Sequence, residues 1–141
     1  MLGEGKGKED KHVNKAQQMV LEFHQQFDIQ IARQPTLPDE PTQTLRTRLI
    51  QEEFEELQEA MKTKDLPNIA KELADLLYVV YGTAVSCGID MEPVFQEVHR
   101  SNMSKVGGHK REDGKWVKPP TYSPADIIPV LTTQGLRENL S

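Results

Sequence analysis

The segment from Ile69 to Cys87 restricts more than any other what this chain can fold into. On a helical wheel its apolar residues, among them Ile69, Leu73, Leu76, Leu77, Val79, Val80, Ala84 and Val85, point in nearly every direction. A helix apolar all round is expected to be buried all round. Yet the same segment carries Glu72 and Asp75, one turn apart on one strip. An ionised carboxylate in an apolar interior is costly unless a cation or basic partners compensate it. Only Lys71 stands nearby in sequence, and on the wheel it lies elsewhere. A fold for this chain must bring something positive to that strip.

The preceding stretch supplies more acid rather than base. From about Thr42 to Met61, apolar residues recur at Ile50, Phe54, Leu57 and Met61, and this stripe predicts the inward direction of an amphipathic helix. Thr42 is the expected N-cap after Pro41. Glu55 and Glu59 lie nearly opposite the stripe and are expected to be solvated. Glu53 and Glu56 sit on its flank, in line with Leu49 and Ala60, with Glu52 just beyond. The short link Lys62–Leu66 makes the two helices antiparallel neighbours, and Pro67 suits the first turn of the second. Each helix then presents a carboxylate pair at i, i+3 to the other. Four oxygen ligands in that arrangement favour Mg²⁺ or Mn²⁺ over zinc. Ferritin-like di-iron sites need Glu-x-x-His pairs, and neither His24 nor His99, the histidines on expected helices, follows a Glu by three.

The rest of the chain reads as follows. Residues 1–12 are Gly-, Lys- and Glu-rich and are expected to be a disordered tail. Val13 to about Ile31 is an amphipathic helix by the spacing of Met19, Val20, Phe23, Phe27 and Ile31. The prolines at 35, 38 and 41 make Arg33–Pro41 an extended loop. Gly88 is expected to end the apolar helix, and Asp90 to cap a further helix over Met91–Met103 with Pro93 in its first turn. Asp113-Gly114 signals a hairpin between His109–Glu112 and Lys115–Lys118. A short helix is expected over Pro124–Leu131, and residues 132–141 are expected to be flexible. The domain proper is thus residues 13–131, all-α, a four-helix bundle-like arrangement with a C-terminal hairpin appendage.

Composition limits the partners. With 141 residues the chain suits one domain. A net charge of −5 disfavours a nucleic-acid binder relying on bulk positive charge, but not a small anionic substrate, because a bound cation reverses the local sign. One cysteine, Cys87, precludes a disulfide within the chain and makes a reducing, cytoplasmic setting the expectation. The longest uncharged stretch, Leu76–Ile89, is too short to span a bilayer, so no membrane partner is expected.

Glu52-Glu53-Phe54-Glu55-Glu56, then fifteen residues, then Glu72-Leu73-Ala74-Asp75, resembles the EExxE…ExxD signature of the all-α nucleotide pyrophosphohydrolases. This superfamily includes MazG, the dimeric dUTPases and phosphoribosyl-ATP pyrophosphohydrolase. Residues 20–27 resemble the N-terminal helix of the phosphoribosyl-ATP-pyrophosphohydrolase-like subgroup. His99–Lys105, Asp113–Lys115, Lys118 and Tyr122–Pro124 resemble its C-terminal part. The resemblance implies a MazG-type fold, Mg²⁺ held by Glu53, Glu56, Glu72 and Asp75, and Glu52 orienting or deprotonating the attacking water. It implies that Asn102 and Lys105 meet a nucleotide substrate, which is split to a monophosphate and pyrophosphate. It also implies a homodimer or a homotetramer of paired dimers. Arg100 and Lys105 are candidates for gripping phosphates, and Lys118 for closing over the substrate. Trp116 is a candidate to stack on a base. A phosphoribosyl-ATP substrate, a non-catalytic nucleotide-binding helical dimer and a metal-buffering bundle are the competing readings.

Overall fold

The computed structural model describes residues 14–137, so the expected N-terminal tail and the last four residues lie outside the described part. Among the described residues the fold is all-α apart from one short hairpin. It divides into two compact units, one ending at Met91 and one beginning at Glu92.

The first unit holds α1 (Lys15–Gln26), α2 (Glu40–Thr63) and α3 (Leu66–Cys87), with α3 packed against both others. The expected start of α1 at Val13 lies outside the described residues; the helix begins at Lys15, capped by the Asn14 side chain accepting from Gln17 N–H at 2.7 Å. It ends five residues before Ile31. Asp28 adopts φ 55°, and Ile29 N–H donates back to the His24 carbonyl at 2.8 Å. That is a Schellman ending with aspartate in the left-handed position usually held by glycine. The α2 N-cap is Asp39 rather than Thr42, its carboxylate accepting from Thr42 N–H at 3.0 Å, so Pro41 lies inside the first turn. The loop before it runs along the end of α3, where Ala32 and Thr36 donate to the Val85 and Cys87 carbonyls. Gly88, at φ 69°, ends α3 as expected, with Ile89 N–H bonded to the Ala84 carbonyl.

Two expectations about packing are corrected. The inward face of α2 takes in only part of its expected stripe: Ile50 and Leu57 are half-buried, but Phe54 and Met61 are 48% and 52% exposed, and the fully buried residues are Arg46 and Ala60. Nor is α3 buried on every side. Leu73, Leu77, Tyr78 and Val80 are exposed, while Glu72, Gly82, Ala84, Val85 and Ser86 are buried. The interior of this unit is polar for its size, since Gln17, His24, Arg46, Glu72 and Ser86 accompany Val20, Ala60, Ala84 and Val85. The apolar pattern marks more surface than three helices can cover.

The second unit contains α4 (Met91–Met103), the antiparallel strands β1 (His109–Lys110) and β2 (Trp116–Val117), and α5 (Ile127–Thr133). The hairpin turns as the Asp113-Gly114 pair predicts, with Gly114 at φ 91°. The helix α5 starts after Asp126, later than expected, which places Pro129 in its first turn, where a missing N–H costs nothing. It also ends later, at Thr133, with Gly135 at φ 106° and Leu136 N–H bonded to the Leu131 carbonyl.

Candidate metal centre

The two buried residues of α2, Arg46 and Ala60, are fourteen positions apart, and Glu53 lies midway between them. At seven-residue spacing all three share one face. The face that meets α3 therefore presents Glu53 directly, rather than from its flank. On α3 the residue that answers is Glu72, only 7% exposed, with Asp75 one turn on.

Carboxylate oxygens of Glu53, Glu72 and Asp75 lie within 4.8 Å of one another. Glu56, the fourth expected ligand, is exposed and outside this group. Glu52, Glu55 and Glu59 are exposed as well. Gln51 donates to Glu55 at 3.2 Å and Lys62 to Glu59 at 3.0 Å, so both act as surface residues.

Electrostatics at the cluster are unresolved within the chain itself. Burial pushes the Glu53 carboxyl up, and the neighbouring charges of Asp75, Glu72 and Glu56 push it further. Lys71 does reach the cluster, contrary to its expected direction: its Nζ sits 2.8 Å from Asp75 and 3.8 Å from Glu72 Oε2. A long, flexible stem lets an exposed lysine bend to a neighbour that a wheel places elsewhere. One ammonium faces three carboxylates, however. Glu72 Oε1 is buried and has no hydrogen-bond partner. An orphaned carboxylate oxygen beside two further carboxylates fits a hard divalent cation taking oxygen ligands.

The other expected site residues belong to the second unit. Asn102 is exposed and lines, with Met103, Lys105, Val106 and Trp116, a shallow cavity of about 290 Å³. The Trp116 indole N–H donates to the Lys105 carbonyl at 2.7 Å, which anchors the ring to the end of α4. Lys105 Nζ and Lys118 Nζ sit 5.8 and 4.7 Å from the Tyr122 ring centroid, so two cations gather at one aromatic ring. Arg100 forks onto Glu97 at 2.8 and 3.0 Å and also donates to Ser123 Oγ and the Pro124 carbonyl.

The sequence profile of the phosphoribosyl-ATP pyrophosphohydrolase family matches residues 20–102, more than half of the chain. The chain belongs to that family. No curated protein matches it.

In this pyrophosphohydrolase family member the match takes in the carboxylate helices α2 and α3 and runs to Asn102, while Lys105, Trp116, Lys118 and Tyr122 lie beyond it. Three residues around the candidate centres carry no signal in hydrophobic periodicity. Lys71 is read outward by the wheel. Tyr122 sits among prolines in irregular chain. Arg46 occupies a buried position on a stretch whose apolar stripe points elsewhere. The seven-residue spacing of Arg46, Glu53 and Ala60 is the one pattern that singles out Arg46.

Proposed function

We propose that this chain is a Mg²⁺-dependent hydrolase that cuts the α–β phosphoric anhydride of a nucleoside triphosphate, releasing pyrophosphate and a nucleoside monophosphate. The observation that carries the reading is the buried, unpartnered Glu72 Oε1 among the Glu53 and Asp75 carboxylates. Membership of a pyrophosphohydrolase family supports the reaction class. Nucleotide-pool house-cleaning in the cytoplasm is the corresponding cellular role. Among the described residues no single helix is long and apolar enough to cross a membrane.

Glu53, Glu72 and Asp75 would hold the ion, with Glu56 completing the set and Mn²⁺ as a substitute for Mg²⁺. When bound, a divalent ion neutralises phosphate charge and lowers the pKa of water. Little covalent chemistry falls to the protein in phosphoryl transfer, so positioning and charge dominate. Glu52, next to Glu53 and open to solvent, orients the attacking water and takes its proton. Lys71, which pairs with Asp75 at 2.8 Å, would give up that contact where Asp75 holds an ion. Lys105 and Lys118 supply cations for phosphate oxygens, and Asn102 supplies an amide for the nucleoside. Arg100 adds charge to the same unit, while its fork holds Ser123 and Pro124 beside Tyr122.

Self-association belongs to this reading. Met19, Phe23, Phe27, Leu73, Leu77 and Tyr78 are all exposed in the first unit, and a second copy would cover them in a homodimer or homotetramer.

The test is a pyrophosphate-release screen over canonical, modified and deoxy nucleoside triphosphates and phosphoribosyl-ATP, with Mg²⁺ and with Mn²⁺. Glu53→Gln and Asp75→Asn are expected to lose turnover by about 100-fold or more. Robust turnover by both variants would sink the site. Turnover confined to phosphoribosyl-ATP would establish the second reading, which the family's own name favours. No turnover of any nucleotide by the parent would leave a non-catalytic helical dimer.

A further inference from the structure

The seam between α2 and α3 has a second polar end, two turns from the carboxylates. Arg46 is 5% exposed, yet among the described residues no carboxylate lies within ion-pair distance of it. Its Nη2 donates to the Val79 carbonyl at 3.1 Å and its Nε to Thr83 Oγ1 at 3.4 Å. The Thr83 hydroxyl itself donates to the same Val79 carbonyl at 2.8 Å. Gly82 makes the space: a Cβ there would overlap Arg46 Nη2 and come within 3.1 Å of His24 Nε2. His24 in turn is tied at Nδ1 to the Gln30 carbonyl, 2.9 Å away, which also accepts from Ser86 Oγ at 3.0 Å.

A buried guanidinium without a counter-ion is costly, and a leucine or methionine would fill the same space at less cost. What the guanidinium adds is direction. Arg46 is seven residues before Glu53 on α2, and Val79 is seven residues after Glu72 on α3. In antiparallel helices both separations are two turns, about 10 Å along the axis. The contact Arg46–Val79 and the contact Glu53–Glu72 are therefore two rungs of one ladder. Besides Arg46 the one fully buried residue of α2 is the small Ala60, with Ile50 and Leu57 half-buried, so Arg46 makes the directional contact of this face. A slip of one turn, about 5.4 Å, would carry Glu53 away from Glu72 and Asp75.

We infer that Arg46 is a positioning residue whose fork onto α3 sets the register of the two helices and so holds Glu53 against Glu72 and Asp75. This rests on the metal-centre reading above. At two turns' distance the guanidinium does not neutralise the carboxylates; its effect is geometric.

The test is Mn²⁺ binding to the full chain, followed by electron paramagnetic resonance, alongside thermal unfolding and pyrophosphate release. Arg46→Lys keeps the charge and loses the fork. Its Kd for Mn²⁺ is expected to weaken roughly 10-fold, as for other residues that orient metal ligands. The Mn²⁺ concentration for half-maximal turnover should rise by the same factor, with kcat at saturating Mn²⁺ changed by less than about threefold. Thr83→Val, which removes one acceptor at little cost in shape, should weaken binding in the same direction by less. Val20→Ala, in the core of α1, controls for stability: it should lower Tm and leave the Mn²⁺ Kd at the parent value. Arg46→Lys binding Mn²⁺ as the parent does, or Val20→Ala weakening it equally, overturns the proposal and leaves the metal centre standing. A parent chain that binds no Mn²⁺ removes the metal centre and the proposal together.

Discussion

Glu72 and Glu97 are both glutamates on helices with their side chains largely shielded, at 9% and 18% exposure, and their surroundings are opposite. Glu97 accepts from Arg100 Nε and Nη2 and from Asp126 N–H. The Arg100 fork, with the Asp126 amide second, holds its carboxyl down at about 2. Glu72 has a distant lysine on one oxygen and nothing on the other, with two further carboxylates within reach. Glu97 is satisfied, and its work is to pin the Ser123–Asp126 segment to α4. Glu72 is left short by its own chain. A folded chain that tolerates such a deficit in one place while satisfying the same group elsewhere has a reason for it, and a bound cation supplies one.

Glu72→Gln separates the two glutamates most strongly. It should cut metal-dependent turnover by about 100-fold or more. In metal-free buffer it should raise Tm by a few degrees, of order 1 kcal/mol, because it removes a buried, uncompensated charge. A Tm that falls as turnover falls would mean that Glu72 is structural. Glu97→Gln should behave inversely, with Tm lower by a few degrees and the Mn²⁺ Kd within about twofold of the parent.

The next effect is one of pH. Glu97 has a depressed folded-state value, so its contribution is present above the ordinary carboxylate range and is lost as pH falls through about 2. His24 acts in a different window. Burial holds its imidazole below the ordinary value near 6.5, and Arg46 adds to this against the Gln30 carbonyl. In that window the folded chain binds fewer protons than the unfolded one. Stability is therefore intact above about pH 6.5 and falls as pH drops below it. Urea midpoints should be lower at pH 5.5 than at pH 7.5, with a smaller difference in His24→Gln. Equal differences in both proteins would remove His24 from the account.

The smallest effect tests a boundary. Asp28→Gly should stabilise the first unit by about 0.5 kcal/mol, since glycine takes the left-handed conformation at less cost.

That same Asp28 shows where sequence reading stops. Helix ends with glycine at the turn, such as Gly88, are legible because one residue type dominates that conformation. An aspartate in the same conformation gives no warning, and α1 ends five residues earlier than its apolar spacing implies. The carboxylates of α3 were legible because acid within an apolar run is a local contradiction. The facing side of α2 was not, because its apolar stripe through Phe54 and Met61 points to surface that this chain leaves open. Periodicity reports where apolar surface goes, and a polar seam such as Arg46–Glu53 is invisible to it. Lys105, Lys118 and Tyr122 gather through turns and irregular chain, where spacing carries no geometry.

The most direct test of the account is thermal unfolding of the parent and of Glu72→Gln, each with chelator and with millimolar Mg²⁺ or Mn²⁺. A cation that binds the folded carboxylate cluster must raise the parent's Tm by mass action, and the shift should be abolished or greatly reduced in Glu72→Gln. A parent Tm that neither ion moves, or a full shift retained in Glu72→Gln, would contradict the claim that Glu53, Glu72 and Asp75 await a divalent ion.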